Sequence, residues 1–92
     1  MVYQVVKTRR FLRSVKRMNP GAYGATHSAI AEIIENPAIG EAKKSDLESF
    51  FVYKFRALDL QFLIAYGIDL ERNEIVLWAV GPHENFYRDL KR

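Results

Sequence analysis

"FFVYKFRALDLQFLIAYGIDLERNEIVLWAV", residues 50–80, decides the fold. Within it "FFVYKFRA", "LQFLIAY" and "EIVLWAV" are rich in aromatic and β-branched residues and are parted by "LD" and "GIDLERN". Such residues pack well on a pleated surface, and the intervening Gly, Asp and Asn suit turns, so the stretch predicts a three-strand meander. In its first strand, alternation puts Phe51, Tyr53 and Phe55 on one face and Phe50, Val52, Lys54 and Arg56 on the other. The aromatic face is the expected core face.

Working outward, "VYQVVK" at residues 2–7 reads as a short first strand. Thr8 then caps a helix whose Phe11, Leu12, Val15 and Met18 form one apolar stripe, and "NPG" ends it. A second helix runs from about Ala22 to Glu35 with Tyr23, Ile30, Ile33 and Ile34 inward, and the residue before Pro37 stops it. "PAIGEAKKSDLES" reads as a polar loop. Gly81 and Pro82 open a short C-terminal helix, proline at its first position, with Phe86 and Leu90 packing inward. The order β-α-α-β-β-β-(α) predicts an α+β, two-layer fold: a helical hairpin on an antiparallel sheet of about four strands, with residues 1–92 as one domain.

Composition narrows the chemistry. The chain is 49% apolar and has no cysteine, which suits a small core in a reducing compartment, with the cytoplasm as the default, and excludes disulfides and thiolate zinc sites. No stretch approaches the roughly 20 apolar residues of a membrane span, so no membrane role is expected. The net charge is a modest +3, but its distribution is uneven. "KTRRFLRSVKR" carries cations and no acid, so Arg9, Arg10, Arg13, Lys16 and Arg17, lying off the apolar stripe, make the exposed side of the first helix basic. Arg88, Lys91 and Arg92 gather at the C-terminus, and the acids collect in the middle. A dipole of this kind suits a surface that meets a polyanion.

Two places could hold chemistry. Lys54 and Arg56 point from one strand face, two residues or roughly 7 Å apart, a spacing that fits neighbouring oxygens of a phosphodiester; a solvated strand face is the plainer alternative. His83, Tyr87 and Lys91 recur at i, i+4 and i+8 along one side of the C-terminal helix. Histidine exchanges a proton near neutral pH, and with the two cations such a group has the parts for metal-free RNA cleavage; a frayed polar terminus is the alternative. His27 falls in the inward stripe of the second helix and reads as a half-buried core histidine. Metal-ligand spacing, a glycine-rich phosphate loop and a dinucleotide fingerprint are all absent, so neither a metal nor another cofactor is expected.

The order of elements, and especially "KKSDLESFFVYKFRALDLQFLIAYGID" followed by "EIVLWAVGPHENFYRDLKR", resembles the RelE/ParE superfamily of bacterial type II toxin–antitoxin toxins. The family pattern is a basic K-x-R strand, a strand often containing "YR", an apolar strand ending near "GHR", and a tyrosine a few residues on. The matching positions here are Lys54 and Arg56, then His83 in "VGPH", then Tyr87. The resemblance implies a toxin with a cognate antitoxin as partner. RelE-like members cut messenger RNA on the ribosome, whereas ParE-like members poison DNA gyrase. The RelE branch implies catalysis by Lys54, Arg56, His83 and Tyr87, with the basic residues of the first helix and of the C-terminus on RNA and ribosome. Gln61 stands near where RelE-like enzymes commonly carry an arginine. The ribosome-dependent nuclease is the expected branch; the alternatives are a gyrase inhibitor and a plain nucleic-acid-binding module.

Overall fold

The computed structural model describes residues 3–44 and 49–90. Strand β1 (Gln4–Lys7) leads into helix α1 (Arg9–Arg17), a 3₁₀ turn at Pro20–Ala22 and helix α2 (Tyr23–Glu35). After a second 3₁₀ turn at Pro37–Ile39 come β2 (Glu41–Lys44), β3 (Ser49–Ala57), β4 (Leu60–Asp69), β5 (Glu74–Pro82) and α3 (His83–Leu90). The strands form one sheet in the order β1-β5-β4-β3-β2.

The fold is α+β, and two features of the sheet correct the expectation of about four antiparallel strands. It has five strands, because Glu41–Lys44, read as loop, pairs with β3 through Lys44↔Ser49 to Glu41↔Val52. A short, charged edge strand has no apolar alternation to betray it, and its charge discourages further pairing at that edge. The sheet is also mixed: β1 runs parallel to β5, Gln4↔Glu74 to Lys7↔Leu77, with both helices inside the connection between β1 and the meander. The meander itself is antiparallel. A register shift between Ala65 and Tyr66 lets β4 run on through Asp69, so the turn to β5 is shorter than "GIDLERN" suggested.

Thr8 caps α1 as its sequence position predicts, its Oγ1 accepting from the Phe11 N–H at 3.1 Å and donating to the Leu77 carbonyl at 2.9 Å. Such a cap is worth about 1 kcal/mol, and here it also ties the start of α1 to the edge of β5 where β1 ends. Phe11, Met18, Ala22, Ala29 and Ile33 bury against Phe62, Ile64, Tyr66, Ile75, Leu77 and Val80, with Tyr53 and Phe55 packed around them. Leu12 and Tyr23, expected inward, are 47% and 44% exposed. Ile33 is buried as expected, and the rest of the buried stripe is Ala22, in the 3₁₀ turn, with Thr26 and Ala29 of α2, small residues that let the helix lie close to the aromatic face. His27 falls on the exposed side of that helix, not in the core.

The other face of the sheet is covered in part by α3. Phe86 is buried, with Tyr87 and Leu90 packed beside it, over Val52, Leu63, Ala65 and Ala79. This explains why Phe62 to Tyr66 form an unbroken buried run: a central strand covered on both faces shows continuous apolar residues, not alternation. Proline 82 ends β5 opposite Phe62, and α3 begins one residue later than its glycine-proline signal implied.

Candidate functional site

The antiparallel register sets the site. Lys54 pairs with Leu63 and Leu63 with Gly81; Arg56 pairs with Gln61; and Phe62 pairs with Pro82, the residue before His83. Directly paired residues share a face. Lys54, Arg56 and Gln61 therefore lie on the face that α3 partly covers, at the end of the sheet where α3 begins.

Both cations are exposed. Among the described residues Lys54 makes no ion pair, and the Arg56 guanidinium donates to the Asp59 carbonyl at 3.3 Å within its own hairpin. Among the described residues neither charge is paired with a carboxylate, which leaves both able to meet a phosphate.

On α3, His83 is exposed and Tyr87 half-buried. Their rings meet edge to face with centroids 6.4 Å apart, as the i, i+4 spacing requires. Tyr87 also meets the Phe86 ring edge-on at 5.6 Å, so one side of the phenol is fixed by the core cluster while His83 looks to solvent. Arg88 is exposed on the same helix, and Lys91 and Arg92 lie outside the described residues. The site gains one cation that sequence reasoning missed: Lys43 on β2, with its Nζ 5.8 Å from the centre of the Tyr87 ring. A signal for it existed, since Glu41 and Lys43 alternate within "EAKK" and fall on one face once that segment is a strand.

The basic side of α1 is a second, separate surface. Arg9, Arg13, Lys16 and Arg17 are exposed, and α1 packs on the sheet face opposite Lys54 and Arg56. Arg10 departs from this set. It is half-buried, and its guanidinium donates to the Leu90 carbonyl, reaching around the edge of β5 to the end of α3. A cleft of about 150 Å³ lies between α1, β5 and α3, with Arg10 and Arg17 at its rim and Met18, Val80 and Phe86 among its walls. Among the described residues no group of three or more histidine or acidic side chains could hold a metal ion, and no helix is long and apolar enough to cross a membrane.

A family model described as the ParE-like toxin of type II bacterial toxin–antitoxin systems matches residues 5–91. The chain belongs to this family. The solved structures similar to this ParE-like toxin include the toxin–antitoxin complex RelBE2 of Mycobacterium tuberculosis, with a TM-score of 0.77 at 20% identity over 90% of this chain and 100% of that one. A mutant of the Escherichia coli toxin RelE in its free state, with two arginines replaced by alanine, gives 0.76 at 18% identity, covering 99% of this toxin and 92% of that chain. The intact E. coli RelBE complex gives 0.71 at 18% identity, over 89% and 98%. At these identities the likeness is one of fold. No curated protein matches the toxin.

Proposed function

We propose that this toxin cleaves messenger RNA on the ribosome and that a cognate antitoxin neutralises it. The observation that carries the reading is a histidine and a tyrosine with rings 6.4 Å apart on α3, together with two exposed cations on the adjoining sheet face that make no ion pair among the described residues. The solved relatives that include two RelBE toxin–antitoxin complexes support the antitoxin as partner.

In this reading the RNA 2′-hydroxyl loses its proton to a base of the His83–Tyr87 pair and attacks the adjacent phosphorus. Lys54 and Arg56 hold the charge that builds on the phosphorane, the bond to the 5′-oxygen breaks, and that oxygen takes a proton from the acid of the pair. The products carry 2′,3′-cyclic phosphate and 5′-hydroxyl ends. No step is routed through a metal or another cofactor. Arg9, Arg13, Lys16 and Arg17, on the far side of the sheet, with Arg88 beside the site, serve ribosome binding. That binding weakens steeply with salt as counterions are released.

A second reading, inhibition of DNA gyrase, is favoured by Gln61, which puts a neutral amide directly opposite Arg56, and by the ParE-like description of the family. The test is induction in growing cells, with labelled amino acid and thymidine incorporation followed in the first minutes and RNA 3′ ends mapped in the same cultures. Early failure of translation with new cyclic-phosphate ends is expected. If His83→Ala or Tyr87→Phe lowers cleavage by about 10²-fold while ribosome binding persists, the pair is catalytic. Loss of DNA synthesis first, with RNA uncut, overturns the nuclease in favour of gyrase.

A further inference from the structure

Strand β2 is an exposed edge segment with one exception. Glu41, Ala42 and Lys44 are exposed, whereas Lys43 is largely covered, its side chain only 34% accessible. Two contacts account for this. Its Nζ lies 5.8 Å from the centre of the Tyr87 ring and 3.2 Å from Glu41 Oε1, two residues away on the same strand face. Its backbone pairs with Phe50, whose ring lies 5.3 Å from that of Trp78 in the cluster that also holds Tyr87. The lysine therefore sits over an apolar floor with its charge on an aromatic face.

We propose that Lys43, aimed by Glu41, is a positioning residue for Tyr87. The claim rests on the nuclease reading, in which the Tyr87 hydroxyl must be held toward the Lys54 and His83 end of the face. Tyr87 stands on an eight-residue helix, with one side of its ring against the core cluster and the Phe86 and His83 rings meeting it edge to face. A cation over a ring is attracted to the centre of its face, so Lys43 supplies the restraint perpendicular to those two. The Glu41–Lys43 pair is half-exposed, and such a pair adds little to folding. What it does is select the lysine rotamer that meets the ring. An enzyme whose reacting hydroxyl is held in place loses rate when the holding group is removed, with its substrate affinity unchanged.

The experiment measures single-turnover messenger RNA cleavage on programmed ribosomes, with Lys43→Met and Lys43→Arg made in the native toxin and in Tyr87→Phe. Lys43→Met is expected to slow cleavage at saturating toxin by about 3- to 10-fold, with the half-saturating concentration unchanged, and Lys43→Arg to restore most of the rate. In Tyr87→Phe the hydroxyl is gone, so Lys43→Met should add almost nothing. A loss that appears in the half-saturating concentration and persists in Tyr87→Phe overturns the proposal and makes Lys43 an RNA contact. The placement is read independently by NMR: the Lys43 ε-methylene protons should be shifted upfield by the ring and return to ordinary positions in Tyr87→Leu. A toxin that cuts but shows no such shift sinks the placement of Lys43 alone. A native toxin that cuts nothing sinks the nuclease reading and, with it, the role given to Lys43, whatever the NMR shows.

Discussion

The Arg10 guanidinium donates to the carbonyl of Leu90, tying the last turn of α3 to α1 across 80 residues of sequence. The last carbonyls of a helix have no partner within it, and the negative end of the helix dipole favours a cation there. The one described arginine of α1 that is not exposed is thus committed to holding the helix that carries His83 and Tyr87. Arg10→Ala is expected to cost about 1 kcal/mol and Arg10→Lys less. Hydrogen–deuterium exchange should show faster exchange confined to α3. Unchanged protection of α3 amides in Arg10→Ala would mean that Phe86 and Leu90 alone seat the helix.

A second link crosses the helix layer. Tyr53 Oη donates to Glu32 Oε2 at 2.6 Å, joining β3 to α2. That hydrogen bond raises the Tyr53 phenol above its ordinary value of 10.0, with burial and the negative charge of Glu32 acting in the same direction. A group raised in the folded state stabilises fully below its unfolded value and loses that contribution as pH climbs through the folded one. The native toxin should therefore lose its stability margin over Tyr53→Phe above about pH 10, the phenol's unfolded value. Removing the charge with Glu32→Gln should bring the Tyr53 phenolate absorbance titration down toward the ordinary range. Identical titration curves in the native and Glu32→Gln proteins would show that the bond does not persist in solution.

Two glycines answer alanine in opposite ways. A Cβ on Gly40 would stand 2.6 Å from Tyr66 Oη. That hydroxyl is held, donating to the Pro37 carbonyl at 2.6 Å and accepting from the Gly40 N–H at 3.0 Å, on a side chain that is wholly buried. Gly40→Ala must push Tyr66 or the loop aside and should cost about 1–3 kcal/mol. Gly24 lies within α2 with nothing within 4 Å of its would-be Cβ. Gly24→Ala should stabilise by about 0.5–1 kcal/mol, since alanine loses less backbone freedom in a helix. Urea denaturation of the two variants should give midpoints on either side of the native one.

The meander, the capped first helix and the inward Phe86 could be read from sequence because each rests on local pattern: aromatic runs, Thr8 before an apolar stripe, a spaced apolar pair. Glu41–Lys44 could not, because an edge strand is defined by the backbone of its neighbour and not by its own side chains. The exposure of Tyr23 was hidden for a related reason, since either register of an apolar stripe looks helical and the aromatic sheet face selects the one with Ala22, Thr26 and Ala29. The β3–β4 turn places Leu58 and Asp59 at φ 54° and 61°, a left-handed conformation that leucine adopts only at a cost, and nothing in "LD" announces it. Lys54, Arg56, His83 and Tyr87 stand out in the sequence by residue type. That the two cations lie on the sheet face α3 partly covers, toward the end where α3 begins, follows from the strand register, which no single strand encodes.

The register also frames the last prediction. Gln61 is directly opposite Arg56, so Gln61→Arg would put a third cation on the Lys54 and Arg56 face. Like charges on directly paired residues repel, and the substitution should cost about 0.2–1 kcal/mol of stability. If the site works on a phosphodiester, that strain is relieved in the transition state, where the phosphorane carries more negative charge than the ground state and an added cation counts most. Gln61→Arg is therefore expected to raise ribosome-dependent cleavage by about 5- to 10-fold while lowering the thermal midpoint slightly, a trade of stability for rate. The measurement pairs a single-turnover cleavage assay with a melting curve on the same preparation. A gyrase inhibitor predicts the melting change without any gain in cleavage. That outcome would make the glutamine a native feature of a surface that recognises protein, and Lys54 and Arg56 part of its contact.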